Sequence, residues 1–202
     1  MSTSLTTRRI SPPSHFLAVA AALLVAGLAF WTGCATTPVD TSQEGLMQAM
    51  QSPSPDIAAD AMLRWEKTYP TSTNAFGIMR GLLGDDRPKV RRKAARVLGV
   101  LHAEVSEQDI QAICAMLKSP DAMEQTDALK ALRGLEAPSA IDSILPLLNS
   151  PNTHIIRDAC RTLAILGGPD LIPKLEPLLS HAEPAVQNDA QNAIFTLRGK
   201  ST

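Results

Sequence analysis

The sequence offers little for a disulfide framework. Its three cysteines in 202 residues, Cys34, Cys114 and Cys160, have neither a bridge pattern nor a metal-ligand spacing. Alternating β-branched runs are nearly absent, which excludes most sheet architectures and leaves an all-α chain. Aromatic residues make up only 3 % of the chain, while Ala and Leu recur throughout. Neither sign of charge dominates: the formal net charge is −1, so no bulk attraction to nucleic acid or anionic membrane is expected. What the sequence does hold is punctuation. Fifteen prolines and eleven glycines are spread at intervals between short helix-forming stretches.

Residues 1–15 carry Arg8 and Arg9 and no acid, and 16–31 form an unbroken apolar run. This run falls short of the roughly 20 residues a spanning helix needs. A basic start, an apolar run and small residues are the order of a secretory signal peptide. Read alone, these residues leave open a cleaved leader or an uncleaved anchor. Trp31-Thr32-Gly33-Cys34 resembles the lipobox of bacterial lipoproteins, where a small residue precedes an obligatory cysteine; Trp31 stands where that family prefers Leu. The resemblance implies cleavage before Cys34, a diacylglyceryl group on its thiol and an acylated amino terminus. Residues 1–33 would be the removed signal peptide and 34–44 a lipidated, flexible tether. Two acyl chains already anchor a protein stably, so three would fix it to the membrane. Ala35 after the cysteine, in place of Asp, favours the outer over the inner membrane under the enterobacterial sorting rule. Arg8-Arg9 is followed by Ile10-Ser11-Pro12-Pro13, not by the apolar residues of a twin-arginine signal, and reads as the leader's positive end. Without the leader the chain has 17 basic and 20 acidic residues, a net charge of −3.

The rest of the chain repeats. SPSPDIAADAMLRW (52–65), DDRPKVRRKAARVL (85–98), SPDAMEQTDALKAL (119–132), SPNTHIIRDACRTL (150–163) and HAEPAVQNDAQNAI (181–194) each begin at a helix-breaking turn. Each then places an alanine, Ala61, Ala94, Ala128, Ala159 or Ala190, four residues before a large apolar residue. Those are Trp65, Leu98, Leu132, Leu163 and Ile194, and the i, i+4 pair marks one face of a helix. The alanines are 33, 34, 31 and 31 residues apart. A second helix is predicted between them, over 76–86, 110–120, 141–151 and 171–181. Each copy ends in an apolar pair and a polar turn: Leu82-Leu83, Met116-Leu117, Leu147-Leu148 and Leu178-Leu179. Residues 45–55 match the same ending, so an extra helix is expected ahead of the first full repeat. One helix pair cannot bury both its apolar stripes, whereas stacked pairs share a continuous core.

The stretch Asp86-Arg87-Pro88-Lys89-Val90-Arg91-Arg92-Lys93-Ala94-Ala95-Arg96-Val97-Leu98-Gly99 resembles a HEAT repeat, especially the short HEAT-like class of the phycobilisome lyases. A turn Asp or Pro, a Val-Arg pair and a later Ala and Leu-Gly recur there in this order. Pro184-Ala185-Val186 keeps the Pro and Val but has Gln187 for the Arg, and Ile155-Ile156-Arg157 carries its Arg one place late. The resemblance implies an all-α, right-handed α-α superhelix, a HEAT-like α-solenoid of about four and a half repeats, over residues 45–198.

No convergent catalytic set is evident. His102, His154 and His181 fall at helix ends or turns of different repeats, as solvent-exposed histidines do. Cys114 and Cys160, in different repeats, read as small reduced packing residues. Arg87, Lys89, Arg91, Arg92, Lys93 and Arg96 form the densest charge. Lys89, Arg92, Lys93 and Arg96 fall opposite Val90, Ala94 and Leu98 on the helix, so with Arg87 they are a candidate patch for an acidic partner or lipid headgroups. The competing reading is a solvated outer face, with Arg91 used in contacts between repeats.

The expectation is a non-catalytic binding or scaffold lipoprotein of the bacterial envelope, periplasm-facing. Its covalent lipid would sit on Cys34, and it would use no other cofactor, no catalytic residue and no metal site. Its partner would be another envelope protein, not nucleic acid. The alternatives are a pilotin-like assembly chaperone of an outer-membrane complex and, from the repeat family's namesake, a chromophore-lyase-type enzyme.

Overall fold

A computed structural model describes residues 40–200; the expected signal peptide, Cys34 and the expected tether up to Val39 lie outside the described residues, and Gln43 and Glu44, expected in the tether, open the first helix. Among the described residues there are ten α-helices and no strand. Five are long members of one layer: α2 (Pro55–Thr68), α4 (Pro88–Val100), α6 (Ala122–Gly134), α8 (Thr153–Leu166) and α10 (Pro184–Gly199). The other five are shorter: α1 (Gln43–Met50), α3 (Phe76–Gly81), α5 (Glu107–Met116), α7 (Ile141–Ile144) and α9 (Ile172–Leu175). The two kinds alternate along the chain, and α1 is the extra helix expected before the first full repeat. No described helix is long and apolar enough to cross a membrane.

Local chemistry sets the starts. Proline opens α2, α4 and α10, where its missing N–H would have had no partner anyway. The Ser54, Asp121 and Asn152 side chains accept from the first free backbone N–H groups of α2, α6 and α8. Ser106 and Asp109 form a reciprocal capping box at α5. The stops of α4 and α6 are a pair. His102 and Glu136 adopt left-handed backbone, at φ 48° and 49°. Ala103 N–H then reaches back to the Leu98 carbonyl at 3.0 Å, and Ala137 N–H to that of Leu132 at 3.2 Å.

The alanine–large residue rule describes the core. Ala61, Ala94, Ala128, Ala159 and Ala190 are all buried, as are Trp65, Leu98, Leu132, Leu163 and Ile194. Small residues let the long helices approach closely. A Cβ on Gly99 would lie 2.7 Å from the Ala131 Cα and 2.9 Å from its carbonyl oxygen, so α4 and α6 touch backbone to backbone.

The short layer departs from expectation in three copies: 76–86 already turns 3-10 at Leu82–Gly84 after α3, and the last two copies depart further. Residues 141–151 and 171–181 are not single helices: α7 and α9 are one turn each, flanked by 3-10 turns at Pro138–Ala140, Leu145–Asn149, Pro169–Leu171 and Glu176–Ser180. Pro146 and Pro177 sit at the start of the 3-10 turns that follow α7 and α9. Each removes an N–H from the α-helical ladder and crowds the carbonyl four residues back. The apolar pairs still point inward at Leu147, Leu148 and Leu178.

Candidate docking surface

The two layers present different exteriors. On the long-helix side, charged residues pair across rung boundaries. Lys89 of α4 binds Asp56 of α2, and Arg96 Nη2 lies 3.4 Å from Glu66 Oε1. Forward from α4, Arg92 Nε is 2.9 Å from Asp127 Oδ2 of α6, and Arg91 grips Glu124 with both Nε and Nη2. Arg157 and Arg161 of α8 share Asp189 of α10 at 2.6 and 3.0 Å. Arg87 bonds Asp85 and also donates to the carbonyls of Ser52 and Pro53 at 2.8 Å each. Among the described residues no carboxylate–cation pair joins α6 to α8; there Thr162 Oγ1 donates to the Asp158 carbonyl at 2.7 Å and lies 3.4 Å from that of Leu129.

The five candidate patch residues, Arg87, Lys89, Arg92, Lys93 and Arg96, therefore lie together on and just before α4, and four of them are engaged by the protein's own carboxylates. Lys93 sits among Arg92, Arg96, Asp127 and Glu66; burial, then the repulsion of Arg96, pushes its ammonium below the usual lysine value. Glu124 is the buried carboxylate of the ladder. Burial pushes its pKa up, but hydrogen bonds from Arg91 and Ser119 outweigh this and hold it below the ordinary range.

On the short-layer side a different pattern recurs, one that the repeat alignment did not single out. The outward stripe follows i, i+3, i+4, i+7 spacing, one face of a helix. In α3 and its following turn it is Gly77, Arg80, Gly81 and Gly84; in α5 it is Gln108, Gln111, Ala112 and Ala115. In the next copies it is Asp142, Leu145, Pro146 and Asn149, then Pro173, Glu176, Pro177 and Ser180. All are exposed or half-buried. Its one arginine, Arg80, is held by Asp109 at 2.9 Å. The three glycines have ordinary negative φ, and a Cβ on any of them would meet nothing within 4 Å. Neither backbone conformation nor internal packing calls for glycine there, although glycine costs a helix about 0.5–1 kcal/mol relative to alanine. The result, at Gly77, Gly81, Gly84, Ala112 and Ala115, is a run of small residues on the short layer's exterior, whereas the long helices carry the self-neutralising charge.

Of the remaining candidates, two of the three histidines are engaged in structure. His102 Nδ1 lies 2.7 Å from the Gly134 carbonyl, one rung on, and His181 Nδ1 accepts from the Glu183 N–H at 3.0 Å. His154 is exposed on the first turn of α8. Cys114 and Cys160 are free and buried; burial pushes both thiols up, Cys160 to about 12. A thiol so shifted supplies almost no thiolate at neutral pH.

The geometry is that of a known architecture. A family profile described as HEAT repeats matches residues 110–194, from α5 into α10. No curated protein matches the chain. Among solved structures, a chain of the CpcE–CpcF phycocyanin lyase complex from Nostoc sp. PCC7120 superimposes with a TM-score of 0.66 at 20% identity, over 84% of this chain and 71% of that one. An engineered protein gives 0.58 at 20% identity, over 78% and 79% of the two chains. A computationally designed armadillo repeat protein for modular peptide recognition gives 0.58 at 18% identity, over 76% and 81%. At such identities the likeness is one of fold: residues 40–200 form an all-α solenoid of the HEAT and armadillo kind.

Proposed function

We propose that the protein is a lipid-anchored, non-catalytic binding scaffold of the bacterial cell envelope that engages a partner protein through the outward stripe of its short helices. One observation carries the choice of surface. Gly77, Gly81 and Gly84 lie on one exposed face where glycine serves no internal need, and Ala112 and Ala115 extend the strip onto the next rung. A partner's backbone or flat side chains can approach such a strip closely. The long-helix face supports the assignment by contrast, because most of its cations already have carboxylate partners within the chain.

Anchoring rests on the Thr32-Gly33-Cys34 motif after its apolar run. Lipid on Cys34, a tether ending where α1 begins at Gln43 and a rigid array beyond it would present the strip to proteins near the membrane, most simply from the outer membrane's periplasmic face. Metabolic labelling with a palmitate analogue tests the anchor. Label is expected on the wild type and not on Cys34→Ser; label retained by the variant would remove the anchor from the reading.

The likeness to a phycocyanin lyase complex chain gives the enzymatic alternative one specific support. A bilin co-purifying with this protein, followed by its absorbance, would favour that alternative over the scaffold.

A further inference from the structure

Two successive turns from a long helix into the short layer enclose an apolar groove rimmed by charge of one sign. Residues 101–106 join α4 to α5, and 135–140 join α6 to α7. The groove between them has a volume of about 700 Å³, the size of a ligand cleft. Val105, Ile110 and Leu135 give it a half-buried apolar lining. Glu104, Glu107 and Glu136 stand exposed around it. No lysine or arginine lines it. Among the described residues none of the three carboxylates has a cationic partner.

Neighbouring carboxylates are neutralised within the chain. A groove of about 500 Å³ beside the turn before α6 is also lined by charge, but there Arg91 and Glu124 are already joined. Asp109, in the first turn of α5 with Glu107, is held by Arg80 at 2.9 Å. Glu107 is fixed without being neutralised. Its Oε2 accepts from the Ser139 hydroxyl of the next rung and its Oε1 from the Gln111 amide, each at 2.9 Å. Glu136 has left-handed backbone, φ 49°, where glycine would be unstrained. His102 has the same backbone one rung earlier and sets its ring 2.7 Å from the Gly134 carbonyl. The Glu136 side chain makes no such bond among the described residues, so the fold itself gains nothing from its carboxylate.

We propose that this groove binds a lysine- or arginine-bearing segment of a partner protein. Such a side chain matches both of its parts: the methylenes lie along Val105, Ile110 and Leu135 while the charged tip reaches a carboxylate. A cleft lined by one sign of charge concentrates the opposite sign and repels its own, so phosphate-rich occupants are excluded. Charge complementarity of this kind fixes the register of a partner and speeds its arrival. The three carboxylates come from consecutive rungs, so two or more basic residues can be held at once. The site is separate from the glycine and alanine strip and stands or falls without it.

Fluorescence anisotropy of a dye-labelled hexalysine peptide, titrated with the full chain in non-ionic detergent, tests this. Saturable binding is expected, weakening as sodium chloride is raised. Glu104→Gln combined with Glu136→Gln is expected to weaken it at least tenfold. Glu44→Gln combined with Glu183→Gln removes the same charge at two exposed positions elsewhere and is expected to change it less than twofold. Glu104 and Glu136 have no cationic partner to lose, so their double variant is expected to melt no lower than the wild type. Absence of binding overturns the proposal, as does equal weakening by the two double variants. Displacement of the peptide by calcium chloride far beyond that by sodium chloride at equal ionic strength would assign the carboxylates to a divalent cation and overturn it too.

Discussion

Arg91 of α4 and Glu124 of α6 form a two-pronged ion pair across a rung boundary, with Arg91 Nη2 3.0 Å from Glu124 Oε2 and Arg91 Nε on the other oxygen. Arg91 Nη1 also donates to the carbonyls of Asp85 and Asp86, and Ser119 donates its hydroxyl to Glu124 at 2.6 Å. One guanidinium thus ties two turns and two helices, and its removal strands a carboxylate that is 2% exposed. Arg91→Met is expected to cost roughly 2–3 kcal/mol in urea unfolding, below the fully buried range because Arg91 itself is 24% exposed.

The same pair sets an acid limit. Glu124 is held below its ordinary value when folded, so its contribution is fully present above the usual glutamate pKa and is lost as pH falls through the lowered one. Stability of the wild type is expected to drop steeply below about pH 4. Glu124→Gln, already weaker at neutral pH, is expected to show a shallower acid limb. Identical limbs in the two proteins would show that another group governs acid unfolding.

The glycines divide into two kinds, and stability measurements should separate them. Gly99→Ala would drive a Cβ into the backbone of Ala131 and is expected to destabilise by about 1–3 kcal/mol. Gly77→Ala places its methyl in open space and is expected to stabilise by about 0.5–1 kcal/mol. A destabilising Gly77→Ala would mean that glycine is needed there for the fold itself and is not kept free for a partner.

Much of the fold was legible because the repeat is written in volume. An alanine and a large residue four positions later recur in five helices, and burial of all ten follows from helix geometry alone. The short layer was less legible. Pro146 and Pro177 sit inside runs whose apolar ends match those of α3 and α5, so alignment on the ends hid the change to 3-10 turns. The densest basic run could be seen, but not its partners: Asp56, Glu66 and Asp127 lie 30 to 35 residues away, and only the stacking of rungs brings them to α4. The strip on the short helices was hidden for the opposite reason. Glycine and alanine draw attention as punctuation or as close-packing residues, and only the open space around Gly77, Gly81 and Gly84 shows that they are neither.

Glu136 carries left-handed backbone that a glycine would adopt without strain. Its side chain is exposed, so little is lost with it. Glu136→Gly is expected to raise the unfolding free energy by about 0.5–1 kcal/mol, the relief of strain exceeding glycine's entropy cost. A loss of stability in the same measurement would show that the Glu136 side chain makes a contribution beyond the cap.

Thiol reactivity checks the packing between rungs. Cys160, fully buried with its pKa pushed up to about 12, is expected to resist iodoacetamide at pH 8 in the folded protein and to react once unfolded. Labelling of Cys160 at native rates comparable to a free thiol would place it on an accessible surface.

Binding of an envelope protein by the short-helix strip, as proposed, can be tested directly. The most direct measurement is affinity capture from detergent-solubilised envelopes, comparing the wild type with Gly81→Glu and Ala115→Glu, two exposed positions whose side chains face away from the core. One envelope protein is expected to be recovered in near-stoichiometric amount by the wild type and reduced at least tenfold by either variant, with melting temperatures unchanged. Recovery equal in all three would contradict it, as would the absence of any stoichiometric partner.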